Sequence, residues 1–515
     1  MPTNHASIRD ADILVIGGGM AGAWAAISAA RAGSRVVLVD KGYCGTSGVT
    51  ATAGPGHWWV PPEGRAVAVA QRESAGLGLA DPRWMHRILD TTWRELPGIA
   101  SHYRFGVNAE GQTVYRALRG PEYMRALRSL VNLAGVTVLD HHPALELLRT
   151  DNGQVAGAAG LCRRDGTRWM VRCGAVVLAT GGCAFLSKLL GADNNTGDGL
   201  LMGAEVGAEL SGMEFTDAYT VAPAFSNMTR AMSYVFARYF DTDGRELEIP
   251  PGPANHREIA RALLKGPVFC CLDRMPNDLR VLLPSISPNV MLPFARRGID
   301  PFRDRFEVSL RGEGTVRGIG GLRVISDGCE TTVRNLYVAG DAASREPVTG
   351  AISGGGNVNS AWALSSGVWA GAAAAERARQ QPLAPGSLNG AGEAGLRPQA
   401  GVRPLAAHAF VARLQRPTLG LDLNIFRDGA ALTRSLAKLD EDWLTWRLHA
   451  HGGGSNVLRH REVAAMLACA RWNVAAALAR RESRGMHLRT DVPATDPAQA
   501  RPLRQYGLDV IQTTP

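Results

Sequence analysis

Short, unbroken apolar runs recur along the chain, and each runs into a turn rich in small residues. The runs are ILVI at 13–16, RVVLV at 35–39, AVVLA at 175–179 and NLYVA at 335–339. Continuous apolar runs of this length are typical of buried strands, and the first is typical of a parallel strand. The pattern predicts an α/β fold built on a Rossmann-like domain.

The first run opens a dinucleotide-binding pattern. After it come three glycines spaced G-x-G-x-x-G, a helix of small residues and a second strand that ends at Asp40. Gly17 permits a tight turn, Gly19 lets the backbone approach a pyrophosphate, and Gly22 lets the helix pack on the strand. The acid is suited to the ribose hydroxyls, and free N–H groups of the helix N-terminus are suited to phosphate. The alternative is a simple turn between strand and helix.

Two later segments favour FAD as the dinucleotide. GAVVLATGG at 174–182 and VRNLYVAGDAAS at 333–344 are each a strand followed by a turn. The second ends in Gly340 and Asp341, which we expect at the ribityl chain and pyrophosphate of an extended FAD. A third stretch, GYCGTSGVTATAGPG at 42–56, has such small side chains that we expect it to lie along the flavin ring and pyrophosphate.

Composition narrows the function classes. Glycine makes up 60 of 515 residues, roughly 12% against a usual share of about 7%. The glycines occur in short clusters, which suggests backbone that approaches a ligand closely. The net charge of +9 comes with no dense basic block, so we expect no nucleic-acid partner. The eight cysteines form no C-x-x-C pair, which argues against zinc or an iron–sulfur cluster within the chain. The polar N-terminus and the lack of a long apolar run predict a cytoplasmic protein without a membrane span.

Five stretches together resemble the fumarate reductase, succinate dehydrogenase and L-aspartate oxidase flavoprotein family. They are TSGVTATAG at 46–54, NNTGDGLLMGAEVGAEL at 194–210, SGMEF at 211–215, GAISGGGNVNSAWALSSGVWAG at 350–371 and ARWNVAAALARRESRGMHLRTDVPATDP at 470–497. The resemblance covers most of the chain. With the motifs above, it implies a cofactor site formed by Gly17, Gly19, Met20, Ala21, Gly22, Asp40, Lys41, Ser47, Gly48, Thr180, Gly181, Gly182, Asp198, Gly340, Asp341 and Asn357.

The resemblance also implies a mode of flavin attachment and a proton carrier. Some family members bond a histidine covalently to the flavin, and the matching position here is Gly48, so we expect non-covalent FAD. The family's proton-shuttling arginine matches Arg257, and Glu258 is the candidate acid beside it. An exposed helical arginine is the alternative interpretation of Arg257.

The chain departs from the family at the residues that bind a dicarboxylate. The two expected histidines fall at Val316 and Tyr219, and the expected substrate-clamping arginine falls at Ser353. Arg317 is a candidate for a different anion contact, and Tyr219 for a hydrogen-bond donor or acid. An ordinary strand arginine and a core tyrosine are the alternatives. We therefore predict catalytic residues Arg257, Tyr219 and Arg317, substrate contacts Ser353 and Glu258, and a substrate other than a simple dicarboxylate.

The predicted domains follow from the resemblance and the composition. They are an FAD-binding domain at 1–220 and 320–380, an inserted α+β capping domain at 221–319, a linker at 381–404 and a C-terminal helical domain at 405–515.

The sequence predicts an FAD-dependent oxidoreductase that moves a hydride between flavin N5 and a carbon of a small or medium organic substrate. The alternative is a flavoprotein subunit, similar to those of succinate dehydrogenase and adenylylsulfate reductase, that passes electrons to a separate iron–sulfur protein. A flavin-bound tRNA-modifying protein is a third interpretation, and the absence of basic residues interleaved with aromatic ones weighs against it.

Overall fold

The computed structural model describes residues 7–108, 110–229, 231–250, 255–286, 288–381, 383, 386–401, 403–450 and 456–515. The first six residues of the polar N-terminus and parts of the predicted capping domain, linker and C-terminal domain lie outside the described residues.

The central sheet is parallel and forms from the apolar runs. Its strands, in spatial order, are Leu336–Val338, Ala175–Leu178, Ile13–Ile16, Val36–Val39 and Thr137–Leu139. The four strands predicted from the apolar runs are buried along their whole length. Such strands need cover on both faces, which explains why they have no polar alternation.

Smaller sheets flank the central one. A five-stranded sheet consists of Ser7–Asp10, Arg168–Arg172, Val155–Leu161, Ala144–Arg149 and Asn389–Gly390. A four-stranded sheet consists of Gly321–Leu322, Leu210–Ser211, Arg504–Tyr506 and Gln512–Thr514, and Gly106–Val107 pairs with Thr113–Val114.

The inserted region has an antiparallel sheet and a hydrophobic core of its own. The strands are Tyr219–Pro223, Phe306–Gly312, Val268–Cys271, Arg238–Phe240 and Glu246–Leu247. Its core includes Val268 and Phe306 from the sheet, with Ile259 and Phe294 from the helices that cover it. The sheet begins at Tyr219 and ends at Gly312, close to the bounds predicted for the capping domain.

Alpha-helices connect and cover the sheets. Their bounds are Met20–Arg31, Arg65–Ala75, Pro82–Glu95, Gly120–Leu133, Asp198–Glu205, Asn255–Leu263, Asn277–Ile286, Pro288–Ala295, Gly314–Arg317, Glu346–Thr349, Gly355–Gln380, Ala407–Leu419, Gly429–His449 and Val457–Ala479.

Two of these helices, Met20–Arg31 and Gly355–Gln380, pack unusually closely. A Cβ atom at Gly367 would overlap the carbonyl oxygen of Ala21, and one at Gly371 would overlap that of Ala25. Glycine therefore allows the two backbones to touch, and no larger residue fits at either position.

The C-terminal region is not a separate helical unit. The helix Val457–Ala479 contributes buried apolar residues from most of its length to the same core as the central sheet. Among the described residues it alone has the length and composition of a membrane span, and 78% of the apolar window is buried inside the fold. The predicted C-terminal helical domain also contains short strands, and one of them, Arg504–Tyr506, pairs with Leu210–Ser211, far away in sequence.

Two buried carboxyl groups lie beside this C-terminal region. Glu214 and Glu346 are both almost fully buried, and one oxygen of each lacks a hydrogen-bond partner. Arg480 forms an ion pair with Glu214 at 2.7 Å. Burial, and then the charge of Glu214, raise the pKa of Glu346 to about 8.

The raised pKa of Glu346 predicts how stability depends on pH. The folded protein keeps this proton up to about pH 8, whereas the unfolded chain loses it near 4.5. Stability therefore falls as pH rises through that window, by up to about 1.4 kcal/mol per pH unit from this group. Glu346→Gln should reduce the loss of stability between about pH 5 and pH 8 in urea denaturation. The surface change Glu110→Gln is the control, and an unchanged pH slope in the Glu346 variant would contradict the assignment.

Candidate functional site

A cleft of about 410 Å³ lies at the carboxyl ends of the strands Ile13–Ile16 and Val36–Val39 of the central sheet. Ile16, Val39 and Ala179 reach it from three neighbouring strands or the turns after them. Carboxyl ends of parallel strands are the usual ligand-binding edge of an α/β sheet. Of the predicted cofactor residues, the structure brings together in its wall Gly17, Gly19, Met20, Ala21, Asp40, Lys41, Ser47, Gly48, Thr180, Gly181, Asp198, Gly340 and Asp341.

The glycines of the first motif differ in what surrounds them. Gly17 has a φ of +109°, and a Cβ there would overlap the carbonyl oxygen of Ala179. A Cβ at Gly22 would overlap the carbonyl oxygen of Gly17, which keeps this helix close to its strand. Gly19 has nothing within 4 Å of the added Cβ. Gly17 and Gly22 therefore serve packing, and Gly19 leaves room for a ligand.

Two helix N-termini face the cleft. Gly19 caps the helix Met20–Arg31 and Gly354 caps the helix Gly355–Gln380, and neither cap receives a side-chain hydrogen bond. Gly355 and Gly356 line the cleft, and both have open space where a Cβ would be. The N–H of Gly355 donates to the Ser353 hydroxyl. The other N–H groups of the first turns and the positive ends of the two helix dipoles suit the cleft to phosphate and other electron-rich groups.

The acid at the end of the second strand is held in a defined position. Asp40 accepts hydrogen bonds from the backbone N–H groups of Gly18 at 2.6 Å and Gly42 at 2.7 Å, and from the Ser47 hydroxyl. Its carboxylate therefore also fixes the start of the small-residue stretch. From that stretch Gly42, Ser47, Gly48, Val49, Thr50, Thr52, Ala53, Gly54 and Pro55 line the cleft.

Lys41 lines the cleft but its charge is already neutralised. Its Nζ lies 2.6 Å from Asp198 and 3.0 Å from Glu462, and it donates to the Thr196 hydroxyl. Burial opposes the charge, but these two carboxylates outweigh it and raise the pKa of Lys41. Because Glu462 comes from the helix Val457–Ala479, this cluster ties the C-terminal region to the cofactor cleft.

Three predicted cofactor residues do not line the cleft. Gly22 and Gly182 serve packing: a Cβ at Gly182 would lie 2.5 Å from the Thr315 hydroxyl. Asn357 lies against the loop at Gly56, and its carbonyl accepts from the N–H of Trp58 at 3.1 Å. On the same helix the residues that line the cleft are Gly355, Gly356, Asn359, Ser360 and Ala363. The prediction missed Asn359 and Ser360 because it did not determine the helical phase.

Arg257 lies at the junction of the inserted sheet and the C-terminal region, outside the cleft wall. Its guanidinium donates to Asp217 at 2.7 Å and to the carbonyl of Gly485 at 2.7 Å. Burial opposes ionisation of Asp217, but His256 at 2.7 Å and Arg257 outweigh it and lower the pKa of that carboxyl. Asp217 is thus the carboxylate that holds Arg257.

Glu258, Tyr219 and Ser353 also lie outside the cleft wall. Glu258, expected beside Arg257, instead pairs with Arg261 on the exposed side of the helix, because adjacent helical residues point about 100° apart. Tyr219 is buried, accepts from the Asn424 amide at 2.9 Å and stacks on His256. The Ser353 hydroxyl accepts from the N–H of Gly355 at 3.2 Å and so helps to shape the second glycine loop.

Arg317 lines the cleft, together with Val316 and Glu313. The Arg317 side chain is 42% exposed, and its Nε lies 3.3 Å from the buried carboxylate of Glu313. Val316 packs with Ala184 and Leu189 in a small apolar cluster. The prediction missed Glu313, although its i,i+4 spacing to Arg317 is a sequence signal that could have found it.

The turn that carries these residues is clamped by a buried arginine. Arg345 donates to the carbonyls of Thr315 at 3.0 Å, Val316 at 2.9 Å and Gly318, and it forms an ion pair with Asp341. Burial raises the pKa of Asp341, and the charge of Arg345 opposes that rise. The Gly340–Asp341 motif and the Arg317 turn are therefore one connected unit.

Comparison with known proteins gives consistent matches. The family described as FAD dependent oxidoreductase matches residues 12–258, and the fumarate reductase flavoprotein C-terminal family matches 413–502. An L-aspartate oxidase of Mycobacterium bovis is 28% identical, covering 97% of this chain and 96% of the relative. A fumarate reductase (CoM/CoB) subunit of Methanothermobacter marburgensis is 24% identical, covering 96% and 97%. A variant of E. coli quinol fumarate reductase FrdA has the same fold, with a TM-score of 0.83, 21% identity and coverage of 99% and 96%.

The chain is thereby identified as an FAD-dependent oxidoreductase that is similar to the L-aspartate oxidase and fumarate reductase flavoproteins. The predicted resemblance, fold class, enzyme class and cofactor FAD are confirmed.

The residues present fit the FAD that this family binds. Gly19, Gly355 and Gly356 leave a cradle that a Cβ would fill, and two uncapped helix N-termini point at it. When bound, FAD supplies hydride transfer at its flavin ring, and the protein supplies binding, orientation and electrostatics. Among the described residues no group of His, Cys, Asp or Glu is arranged to hold a metal ion, and all eight cysteines are buried free thiols.

The open space at Gly19 predicts a separable effect on FAD binding. Gly19→Ala should leave the apoprotein folded, with a small drop in unfolding temperature because alanine is a poor N-cap. It should weaken FAD binding by at least about tenfold, since the new methyl group occupies the cradle. Flavin fluorescence quenching measures the affinity. Gly98→Ala is the matched control, because Gly98 also has nothing within 4 Å of an added Cβ but lies outside the cleft. Equal FAD affinity in the two variants would contradict the cradle.

Proposed function

We propose that this chain is an FAD-dependent enzyme that transfers a hydride between flavin N5 and a carbon of a small or medium organic substrate, other than a simple dicarboxylate. The observation that carries the proposal is the charge of the cleft wall. Lys41 and Arg317 are the cationic side chains among its described lining residues, and Lys41 is neutralised by two carboxylates. A dicarboxylate needs two anion contacts, and the wall offers at most Arg317, whose half-exposed side chain already pairs with Glu313.

The rest of this part of the wall favours an apolar substrate body. Leu189, Val316, Leu283 and Val290 line the cleft, the last two from the helices Asn277–Ile286 and Pro288–Ala295. These helices belong to the inserted region, which we propose as a capping domain that excludes water from the reacting atoms. A substrate with an apolar body and a single anionic or polar group fits this wall best.

We further propose non-covalent FAD and the following roles. Gly48 offers no nucleophile at the position where some family members attach the flavin. Arg317 would bind the polar group of the substrate, and Arg257, held by Asp217 outside the cleft wall, would carry protons towards the cleft when the capping region closes. Tyr219 would support Arg257 through its stack on His256. Cytoplasmic location stays a prediction.

The second candidate function is a flavoprotein subunit that passes electrons to a separate iron–sulfur protein. It is supported by the relative that is named as one subunit of a fumarate reductase, which matches over 96% of this chain. The absence of C-x-x-C pairs is compatible with clusters held on another chain.

Anaerobic reduction of the purified holoprotein tests the first proposal. Compounds with one anionic or polar group on an apolar body should bleach the flavin bands, and succinate, fumarate and aspartate should not react at a useful rate. Arg317→Gln should raise KM for the active compound by at least about tenfold, the scale of one lost charged contact. Rapid bleaching by succinate would contradict the proposed substrate class.

Two measurements distinguish the remaining alternatives. Acid precipitation should release the flavin into the supernatant, and flavin retained in the pellet would contradict non-covalent binding. Purification of the tagged chain from its native cell should bring a cysteine-rich iron–sulfur protein if the second function is correct. Rapid peroxide formation by the isolated chain would instead favour a free-standing oxidase.

A further inference from the structure

Glu313 is a buried carboxyl group in the cleft wall that no motif assigns. It is 4% exposed, it lies just after the strand Phe306–Gly312, and it lines the cleft beside Arg317. A carboxylate so deeply buried is costly unless it is paired. Its partner, at 3.3 Å, is Arg317, whose side chain is half-exposed and also lines the cleft.

The backbone around Glu313 is held from several directions. Its N–H donates to the carbonyl of Ala218 at 2.9 Å. The next residue, Gly314, has a φ of +52°, and a Cβ there would overlap the carbonyl oxygen of Cys183. Arg345 donates hydrogen bonds to the carbonyls of the next two residues, Thr315 and Val316. A group fixed in this way is preorganised, as proton transfer to a bound substrate requires.

Arg257, the sequence-derived proton carrier, is less well placed in this conformation. It lies outside the cleft wall, and both Asp217 and the carbonyl of Gly485 occupy its donors. A carboxyl group in a partly apolar part of the wall is well suited to exchange a proton directly with the substrate.

We propose that Glu313 is the catalytic residue that exchanges a proton with the substrate in the cleft, with Arg317 setting its charge state. This inference rests on the proposed function. In the oxidative direction one C–H bond of the substrate breaks and its hydrogen leaves with the electron pair for the flavin. A second hydrogen, on the neighbouring atom, leaves as a proton to the Glu313 carboxylate, and its bonding pair forms the new double bond. FAD, when bound, would accept the two electrons that the substrate loses.

The charged groups that face Glu313 define its titration. They are Arg317 on the same turn, Asp341 on the loop that Arg345 clamps, and His256 from the inserted region. Burial raises the pKa of Glu313, Asp341 adds to that rise, and the charges of Arg317 and His256 oppose it. The carboxyl group therefore titrates at higher pH than an exposed glutamate, and removing the Arg317 charge should raise its pKa further.

A substrate-free titration tests the placement of Glu313. The flavin absorbance of the FAD-loaded wild type should show a step at a pH above 4.5, the ordinary pKa of glutamate. Glu313→Gln should abolish the step and Arg317→Gln should move it to higher pH. Glu307→Gln, an exposed acid on the preceding strand, is the matched control and should keep the step. A wild type without the step, or an equal step in Glu313→Gln, would overturn the inference.

Kinetics with the compound that reduces the flavin fastest supplies the second readout. Glu313→Gln should lower the rate of flavin reduction at least about a hundredfold, the usual scale of general acid–base catalysis, and remove the basic rise of the pH profile. Glu313→Asp should restore part of the rate. If the flavin of the Glu313→Gln variant is reduced at the wild-type rate with the same pH profile, the inference fails and the proposed function stands. If no compound reduces the wild type, the proposed function fails, while the absorbance titration still decides whether Glu313 faces the flavin.

Discussion

The direct contact between the helices Met20–Arg31 and Gly355–Gln380 is the constraint on which the cofactor cleft depends. Gly367 and Gly371 lie against the backbone of Ala21 and Ala25 with no space for a side chain. The two helices come from opposite ends of the FAD-binding region, and their contact aligns both N-termini with one cleft. Two dipole ends and the N–H groups of two first turns are then directed at one cleft, which neither helix could achieve alone.

Buried charges connect the other parts of the fold to this cleft. Lys41 joins the edge of the central sheet to Glu462 on the C-terminal helix, and Arg345 joins Asp341 to the turn that carries Arg317. Asp217 joins the inserted helix Asn255–Leu263 to the segment at Gly485 through Arg257. Lys41 and Asp217 each have a second charged partner, Asp198 and His256. Arg345 and Asp341 are buried together, so loss of one removes the ion-pair partner of the other and costs several kcal/mol. The cleft, the inserted sheet and the C-terminal helices are therefore coupled through charge as well as apolar packing.

The cofactor half of the site could be predicted because its determinants are local. Gly17, Gly19, Gly22 and Asp40 follow one another within a single strand–turn–helix–strand unit, so their spacing alone places them. The reacting half depends on contacts between distant segments. Asp217 meets Arg257 across 40 positions, which no local pattern indicates.

Two other features of the structure differ from the sequence prediction for physical reasons. Asn357 was expected in the cleft, but the helical phase places Asn359 and Ser360 there, since each residue advances about 100°. The strand Arg504–Tyr506 pairs with Leu210–Ser211, and a short exposed strand of polar residues gives little sign of so distant a partner.

The central claim is that both helix N-termini and the small-residue stretch grip one extended two-part cofactor. Calorimetric titration of the apoprotein with FAD, riboflavin and ADP tests it most directly. The claim predicts that FAD binds at least about a hundredfold more tightly than either fragment, because the second half binds at high effective concentration once the first is in place. Riboflavin binding as tightly as FAD, or ADP failing to bind at all, would contradict it.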